Sequence, residues 1–293
     1  MVVSHYRSPD ALRRCLESLR QSLVATPHEV FVCDSAAEPG MGRLIETTFP
    51  QVAYRPFSQN VGYAKLVNAG LREARGELLL ILNADTLVPP GTVEVLAGHL
   101  ADHPDVGMVG PRLVYPDGVH QPSAFRFYRP FTIAARRTAL GRTAAGRREM
   151  NRFLLKDVIG ESLDELPVVS VDWLMASALL VRKAAADSVG PLDERFFMYF
   201  EDVDWCRRFW AQGWKVAWVP TARVVHAHGQ ASKKQGGGIA ALVRNPYARA
   251  HLLSATKYFF KHGLRADMWQ STCSPAGPIR YPLSANSQIC TLI

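Results

Sequence analysis

Short apolar runs and amphipathic stretches alternate over the first part of the chain. After the apolar start Val2-Val3, residues Leu12, Cys15, Leu16, Leu19 and Leu23 recur at helical spacing over 9–24, with Pro9 and Asp10 as start signals. The β-rich run Glu29–Cys33 follows and ends at Asp34, residues 43–49 form a short helix candidate, and Val52–Tyr54 a short strand. Residues 62–75 read as a helix ended by Gly76. Glu77–Leu82 is a continuous apolar run, the pattern of a strand covered on both faces. Pro89-Pro90-Gly91 breaks the chain before a helix over 92–101. This β-α-β-α rhythm predicts an α/β fold with a mostly parallel central sheet, flanking helices and right-handed crossovers.

The rhythm changes near residue 110. Val106–Val109 reads as a strand and Tyr115-Pro-Asp-Gly118 as a turn. Strands return at 168–173, 178–182 and 215–219, and helices at 183–189 and 201–212. Between them, residues 126–156 carry nine basic side chains against one acid, Glu149. Such a stretch is ordinarily a solvated face; as a long irregular insertion beside an active site it would suit a diphosphate-bearing lipid acceptor. Residues 232–238 look flexible, and the tail from about 266 shows little periodicity. Residues 240–262, with Lys257, Tyr258, Phe259, Phe260 and Lys261, form a basic, aromatic-bearing helix candidate suited to a membrane surface. The expected division is a main domain over 1–230 and a helical extension with a flexible tail over 231–293.

Composition narrows the classes. The chain has 293 residues, 48% of them hydrophobic and 20% charged, enough to bury a core; disorder, collagen and coiled coil are excluded. No uncharged apolar run approaches the roughly 18 residues that span a bilayer. The N-terminus lacks a secretory layout, so a cytoplasmic protein is expected. Lys+Arg 34 against Asp+Glu 26 gives +8, which favours polyanionic partners. A nucleic-acid-binding protein is the rival of another class, but no recognition motif supports it. The five cysteines form no C-x-x-C pair and read as reduced thiols.

Carboxylates stand at the ends of apolar runs: Asp34 after EVFVC, Asp85 after ELLLILNA, and Glu201-Asp202 with Asp204 after Phe196–Phe200. In an open parallel sheet, ligands bind beyond the carboxyl ends of the strands. A carboxylate there suits a metal ligand or a ribose acceptor; taken singly, it serves as well as a helix cap or turn residue. His226-Ala-His228 has no Cys or acidic cluster nearby in sequence, which argues against a zinc fragment. The aromatic run 196–200 reads as core before sugar platform, and Trp173 as either. A sugar nucleotidyltransferase would want a Gly-rich loop after the first strand, and Ser4–Pro9 supplies no glycine.

The segment from Gly190 to Arg208, GPLDERFFMYFEDVDWCRR, resembles the family 2 glycosyltransferase pattern G-x-[FL]-D-E-x-F-F-x-Y-x-E-D-x-D-x-C-x-R, best in the branch containing bacterial rhamnosyltransferases. Asn60-Val-Gly-Tyr-Ala64 with Asn68, Leu82-Asn-Ala-Asp85, Gly110-Pro-Arg-Leu113, Asp117-Gly118, Trp173 and His226 agree in the same order, over roughly residues 1–230. The resemblance implies a GT-A nucleotide-diphospho-sugar transferase fold and an inverting, metal-dependent transfer from a nucleotide-sugar donor, dTDP-rhamnose favoured, to a cell-surface glycan or lipid-linked precursor. It implies Asp34, Asn60, Gly62, Lys65, Asn83 and Ala84 at the nucleotide, Asp85 and His226 at Mg²⁺ or Mn²⁺, Trp173 and Glu201 at the acceptor, and Asp202 as general base. Asp204 is expected to pair with Arg207 or Arg208. Departures include His5 and Arg7 for Asn residues, Ala84 for Pro, and Met175-Ala176 where small residues are usual. A degenerate homologue that binds nucleotide-sugars without turnover is the alternative within the family.

Overall fold

The computed structural model describes residues 1–24, 26–159, 163, 166–227, 245–264 and 280–281. The continuous apolar run becomes strand β4 (Leu78–Asn83), which feeds both faces of the sheet: Leu79 and Ile81 enter one core, Leu80 and Leu82 the other. Beside it lie β1 (Val2–His5), β2 (Val30–Ser35) and β3 (Val52–Phe57), in the order β4-β1-β2-β3 and all parallel. On the other side β11 (Ala178–Arg182) runs antiparallel to both β4 and β6 (Val106–Val114), and β6 pairs parallel with β12 (Lys215–His226). Strand direction is therefore common to this central stretch except at β11. Beyond β12, β9 (Val168–Ser170) and β13 (Arg280–Tyr281) pair antiparallel.

One face is covered by α1 (Pro9–Ser22), α2 (Met41–Thr48) and α4 (Thr92–Asp102), through Leu12, Leu16, Leu19, Ile45, Leu96 and Leu100. The other is covered by α3 (Tyr63–Glu73), α7 (Lys183–Val189) and α8 (Glu201–Ala211), through Leu66, Val67, Ala185, Val203 and Phe209. Burying each of the larger side chains stabilises the fold by roughly 1.5–3 kcal/mol.

Several sequence expectations are corrected. The strands at 106–109 and 215–219 extend to Val114 and His226, the second across an irregularity between Val219 and Arg223. The 168–173 run divides: 168–170 stay in the main sheet as β9, while β10 (Trp173–Leu174) pairs with β8 (Ala124–Phe125) in a separate ribbon. Residues 126–156 are not irregular. They fold as α5 (Pro130–Arg137), a 3-10 turn over Ala139–Arg142, and α6 (Ala144–Phe153). The lone acid explains the order, because buried Glu149 accepts from Arg152 at 2.7 and 3.0 Å and from the Thr132 hydroxyl.

The C-terminal helix candidate is described from α9 (Pro246–His262), where Asn245 Oδ1 accepts from the Tyr247 and Ala248 N–H groups. α9 seats Ala255 and Tyr258 in the core shared with α8. Asp204 pairs with Arg208 on α8 as expected, at 2.9 Å, and also takes Lys261 and His262 of α9, each at 2.7 Å. The expectations for 232–238 and the tail beyond 266 lie outside the described residues, apart from β13. No helix among the described residues is long and apolar enough to cross a membrane.

Candidate active site

Asp34 is the fifth residue of β2, opposite His5 in the β1–β2 register. It is 1% exposed, and both its oxygens are engaged. Oδ1 accepts from His5 Nδ1 at 2.8 Å and Oδ2 from the Tyr54 hydroxyl at 2.6 Å, while His5 Nε2 accepts the Ser8 N–H at 3.0 Å. Asn60 Oδ1 accepts from Ser35 Oγ at 3.2 Å and from the Gly62 N–H at 3.0 Å, which folds the 60–62 loop over the end of β2. Lys65 is exposed on the first turn of α3, and Asn68 is buried, exchanging two hydrogen bonds with the Leu192 backbone.

β1 separates β2 from β4, so Asp85 leaves the same sheet edge two strands from Asp34. Its position is set by the residues before it. Asn83 Oδ1 accepts from Ser4 Oγ at 3.0 Å, Asn83 Nδ2 donates to Ser177 Oγ at 3.3 Å, and the buried Ala84 donates its N–H to the Ser4 carbonyl at 2.9 Å. The short strand β5 (Thr86–Leu87) then pairs with β12, placing Thr86 opposite His226. Asp85 Oδ1 stands 3.3 Å from His226 Nε2. On the far side of that ring, Nδ1 donates to Gln121 Oε1 at 3.0 Å, from strand β7 (His120–Gln121).

α8 begins after two residues in the left-handed region, Tyr199 and Phe200, each at φ 68°. Non-glycine residues held there cost about 1–3 kcal/mol each and persist where the surroundings enforce them. Here they aim the first turn of α8. Asp202 accepts the Val203 N–H at 2.9 Å and the Ala176 N–H at 3.4 Å. Glu201 is 7% exposed, and its Oε2 has no hydrogen-bond partner among the described residues. Burial pushes the Asp202 carboxyl up to about 6. Burial and then the charge of Asp202 push Glu201 well above the carboxylate range. Both carboxyls of the pair are thus held above the ordinary carboxylate range by their burial.

Tyr63 joins the two halves. Its hydroxyl donates to the Ala176 carbonyl at 2.5 Å. Burial, then the charges of Glu201, Asp202 and Asp85, hold the phenol well above its ordinary pKa. Carboxylates from two distant parts of the chain therefore act electrostatically on one hydroxyl.

The family model for Glycosyl transferase family 2 matches residues 1–160. The chain is 31% identical over 237 residues to the N-acetylglucosaminyl-diphospho-decaprenol L-rhamnosyltransferase of Mycobacterium tuberculosis, covering 77% of this chain and 75% of the relative. The chain belongs to glycosyltransferase family 2. It is also 26% identical over 243 residues to the O-antigen biosynthesis protein RfbC of Myxococcus xanthus, covering 80% of this chain and 17% of that one. The mannosyltransferase PcManGT from Pyrobaculum calidifontis, solved with GDP-Man and Mn²⁺, superposes with a TM-score of 0.51 at 18% identity, over 94% of this chain and 75% of that one. GalNAc-T7, solved with UDP, GalNAc and Mn²⁺, superposes with a TM-score of 0.55 at 14% identity, over 77% of this chain and 43% of that one. The fold is GT-A, and the chain is a glycosyltransferase.

Of the residues singled out from the family 2 pattern, Asn83, Ala84, Asp85 and His226 lie together at the end of β4, and Asp202 shares the Ala176 backbone with Tyr63. Asp34, Asn60 and Gly62 lie along the same sheet edge. Trp173 is placed differently from the sugar-facing expectation. It is 5% exposed, stacks on Phe125 at 4.3 Å and donates its indole N–H to the Arg126 carbonyl at 3.0 Å, so its ring packs the β8–β10 ribbon. Three residues that contact or adjoin these positions were not singled out from the sequence. Tyr63 sat inside the recognised Asn60–Ala64 run without a role. Tyr54 and Gln121 carry no local signal, because only strand pairing brings them to Asp34 and His226.

Proposed function

We propose that this family 2 transferase moves a sugar, with inversion, from a nucleotide donor to a hydroxyl of a glycan or lipid-linked saccharide, with dTDP-rhamnose the favoured donor. One observation carries the reading: Asp202 and Tyr63 both hydrogen-bond the Ala176 backbone, and the same phenol feels the charge of Asp85, which faces His226 at 3.3 Å. The similarity to a rhamnosyltransferase supports the donor and the class of acceptor.

Asp85 and His226 fit a divalent cation. With the Nδ1 proton given to Gln121, the Nε2 lone pair of buried His226 faces a carboxylate oxygen at 3.3 Å, two acceptors that a cation satisfies together. Such mixed N,O ligation suits Mn²⁺, with Mg²⁺ as the all-oxygen-preferring alternative. Among the described residues no group of three or more His, Cys, Asp or Glu stands together, and donor phosphate oxygens and water would complete the shell of a bound cation. A bound cation supplies stabilisation of the negative charge that gathers on the departing diphosphate.

This chain's own residues do the rest. Asp34, Asn60, Gly62 and Lys65 line the nucleotide side. Asp34 must exchange its Tyr54 or His5 hydrogen bond for one to the nucleoside. Asp202 takes the proton of the acceptor hydroxyl as that oxygen bonds to the anomeric carbon. The carbon–oxygen bond to the diphosphate breaks, and its electron pair leaves with the nucleotide. Because base and leaving group lie on opposite faces, a single displacement inverts the centre. Protonated Glu201 donates a hydrogen bond to the acceptor.

The exposed side of α9 carries Arg249, Leu253, Lys257 and Phe260, a basic and apolar face suited to peripheral contact with an anionic membrane where a lipid-linked acceptor resides. No nucleic-acid partner enters this reading.

The test is turnover of a nucleotide-sugar panel with Mn²⁺ or Mg²⁺ on a lipid-linked N-acetylglucosamine acceptor, with the product's anomeric configuration read by NMR. Transfer from dTDP-rhamnose with inversion is expected. Retention, or turnover by Asp202→Asn at the wild-type rate, overturns the mechanism.

A further inference from the structure

The arginines of the 126–156 segment divide into two kinds. Arg126 pairs with Asp172 at 3.3 Å, and Arg129 and Arg152 pair with Glu149 at 3.8 and 2.7 Å. Arg142, Arg147 and Arg148 are exposed to water. Arg137, the last residue of α5, fits neither group, and its neighbour Arg136 is exposed yet held by aromatic rings instead of an acid. Arg136 is fixed: it donates to the Tyr128 hydroxyl and lies over the Tyr128 and Phe153 rings at 5.7 and 5.3 Å. Arg137 is half-buried, and among the described residues no carboxylate pairs with either guanidinium.

Two adjacent guanidiniums without a counter-charge, one of them half out of water, are unfavourable in isolation. Burial and the charge of Arg136 both lower the Arg137 pKa, a direct sign of that cost. A second group points the same way. His251 is 7% exposed, touches Tyr199, Phe200 and Tyr128 at ring distances of 5.4, 5.1 and 6.2 Å, and leaves its Nδ1 without a hydrogen-bond partner among the described residues. Arg137 and Arg136 act on that ring, and Arg137 acts on Tyr199.

Their place relative to the reaction follows from shared neighbours. Tyr63 feels Asp85 and Asp202, whereas Tyr128 feels Asp202 and both arginines. Geometry agrees: Tyr63 and Asp202 both hydrogen-bond the Ala176 backbone, and Tyr128, which carries Arg136, packs at 4.7 Å on Phe200, two residues before Asp202. An acceptor whose hydroxyl meets Asp202, with the donor toward Asp85, extends its other end toward Arg136 and Arg137. A neutral glycan has no use for a pair of guanidiniums there. Phosphate oxygens do, since the guanidinium fork matches them in bidentate fashion.

We propose that Arg136 and Arg137, with Tyr199 and His251 beside them, hold a phosphate or diphosphate group carried by the acceptor. The transferase would then select an anionic, phosphate-linked saccharide over a neutral glycan. The inference rests on the proposed donor-to-Asp202 orientation; the donor's own diphosphate is the other possible source of the same chemistry, and the experiment separates the two.

The test titrates inorganic pyrophosphate into the protein by calorimetry in chelator-treated, metal-free buffer, and separately titrates dTDP with Mn²⁺. Pyrophosphate is expected to bind wild type and Asp85→Asn alike, and to bind the Arg136→Ala/Arg137→Ala variant at least about tenfold more weakly. dTDP with Mn²⁺ is expected to bind that double variant as it binds wild type. Arg137→Gln, with an unchanged melting temperature, provides the same readout should the double variant fail to fold. Pyrophosphate binding that is absent in wild type, survives loss of the arginines, or disappears in Asp85→Asn overturns the proposal. So does a loss of dTDP affinity in a folded arginine variant, which assigns the pair to the donor. None of these readings depends on turnover, so they stand apart from the base assignment tested with Asp202→Asn.

Discussion

Phe197 closes directly over Gly62. The Tyr63 N–H donates to the Phe197 carbonyl at 2.9 Å, and a Cβ at position 62 would lie 2.5 Å from that same oxygen. Gly62 also holds φ +80°, where an L side chain is strained. The contact locks the loop after β3 against the segment that leads into Glu201 and Asp202. Gly62→Ala is expected to cost at least about 1–3 kcal/mol and to reduce nucleotide binding and turnover together. Chemical denaturation and dTDP titration check this; an unchanged unfolding midpoint would refute the close approach.

Glu201 and Asp202 are adjacent but not equivalent. Asp202→Asn is expected to lower kcat by about 10²–10⁴-fold while leaving nucleotide affinity intact. Glu201→Gln keeps a hydrogen-bonding group of the same shape and is expected to lose much less. Equal losses in the two variants would show that the proton is not divided as proposed.

The same pair sets a pH profile. Asp202 must be ionised to accept a proton, and burial has raised its pKa to about 6. kcat/KM is therefore expected to be level above that value and to fall about tenfold per unit below it. Measurement down to about pH 5 in a buffer that keeps the protein folded checks the limb. A flat profile would sink the base assignment.

Gln121 orients His226 without facing Asp85 itself. Gln121→Leu frees the ring to turn and is expected to weaken Mn²⁺-dependent dTDP binding by about 10–100-fold. In wild type, a chelator is expected to abolish the thermal stabilisation given by dTDP with Mn²⁺. Full stabilisation in the presence of chelator would argue against a cation at Asp85.

Asp204 fastens α9 to α8 through Arg208, Lys261 and His262, and its side chain is 0% exposed. Those partners, with the His262 and Lys261 hydrogen bonds foremost, hold its carboxyl below the ordinary value against the opposing effect of burial. A depressed folded-state pKa stabilises above the unfolded value, near 3.8. The contribution fades as pH falls through the folded one. Asp204→Asn is expected to destabilise by about 1–3 kcal/mol near neutrality, since the partly buried Arg208, Lys261 and His262 lose their shared carboxylate. The loss should shrink in acid, and a variant penalty that grows on acidification would contradict the sign.

What the sequence determined by itself is the order of elements and the identity of the acidic groups. A five-residue apolar run such as 78–82, too short for a helix and followed by a polar turn, suits a strand buried on both faces, and amphipathic runs such as 9–24 suit the helices that cover it, because each must hide its apolar side. The long Gly190–Arg208 match was legible for the same reason: its residues are contiguous. Tertiary structure decided the rest. Asp34 meets Tyr54 only through the β2–β3 pairing, and His226 meets Asp85 and Gln121 only because β12 runs past its expected end to pair with β5, while β7 pairs with the neighbouring β6. The same holds for Arg137. Nothing in a string of arginines distinguishes one that is paired or solvated from one left half-buried without an acid, since charge balance is a property of neighbours in space.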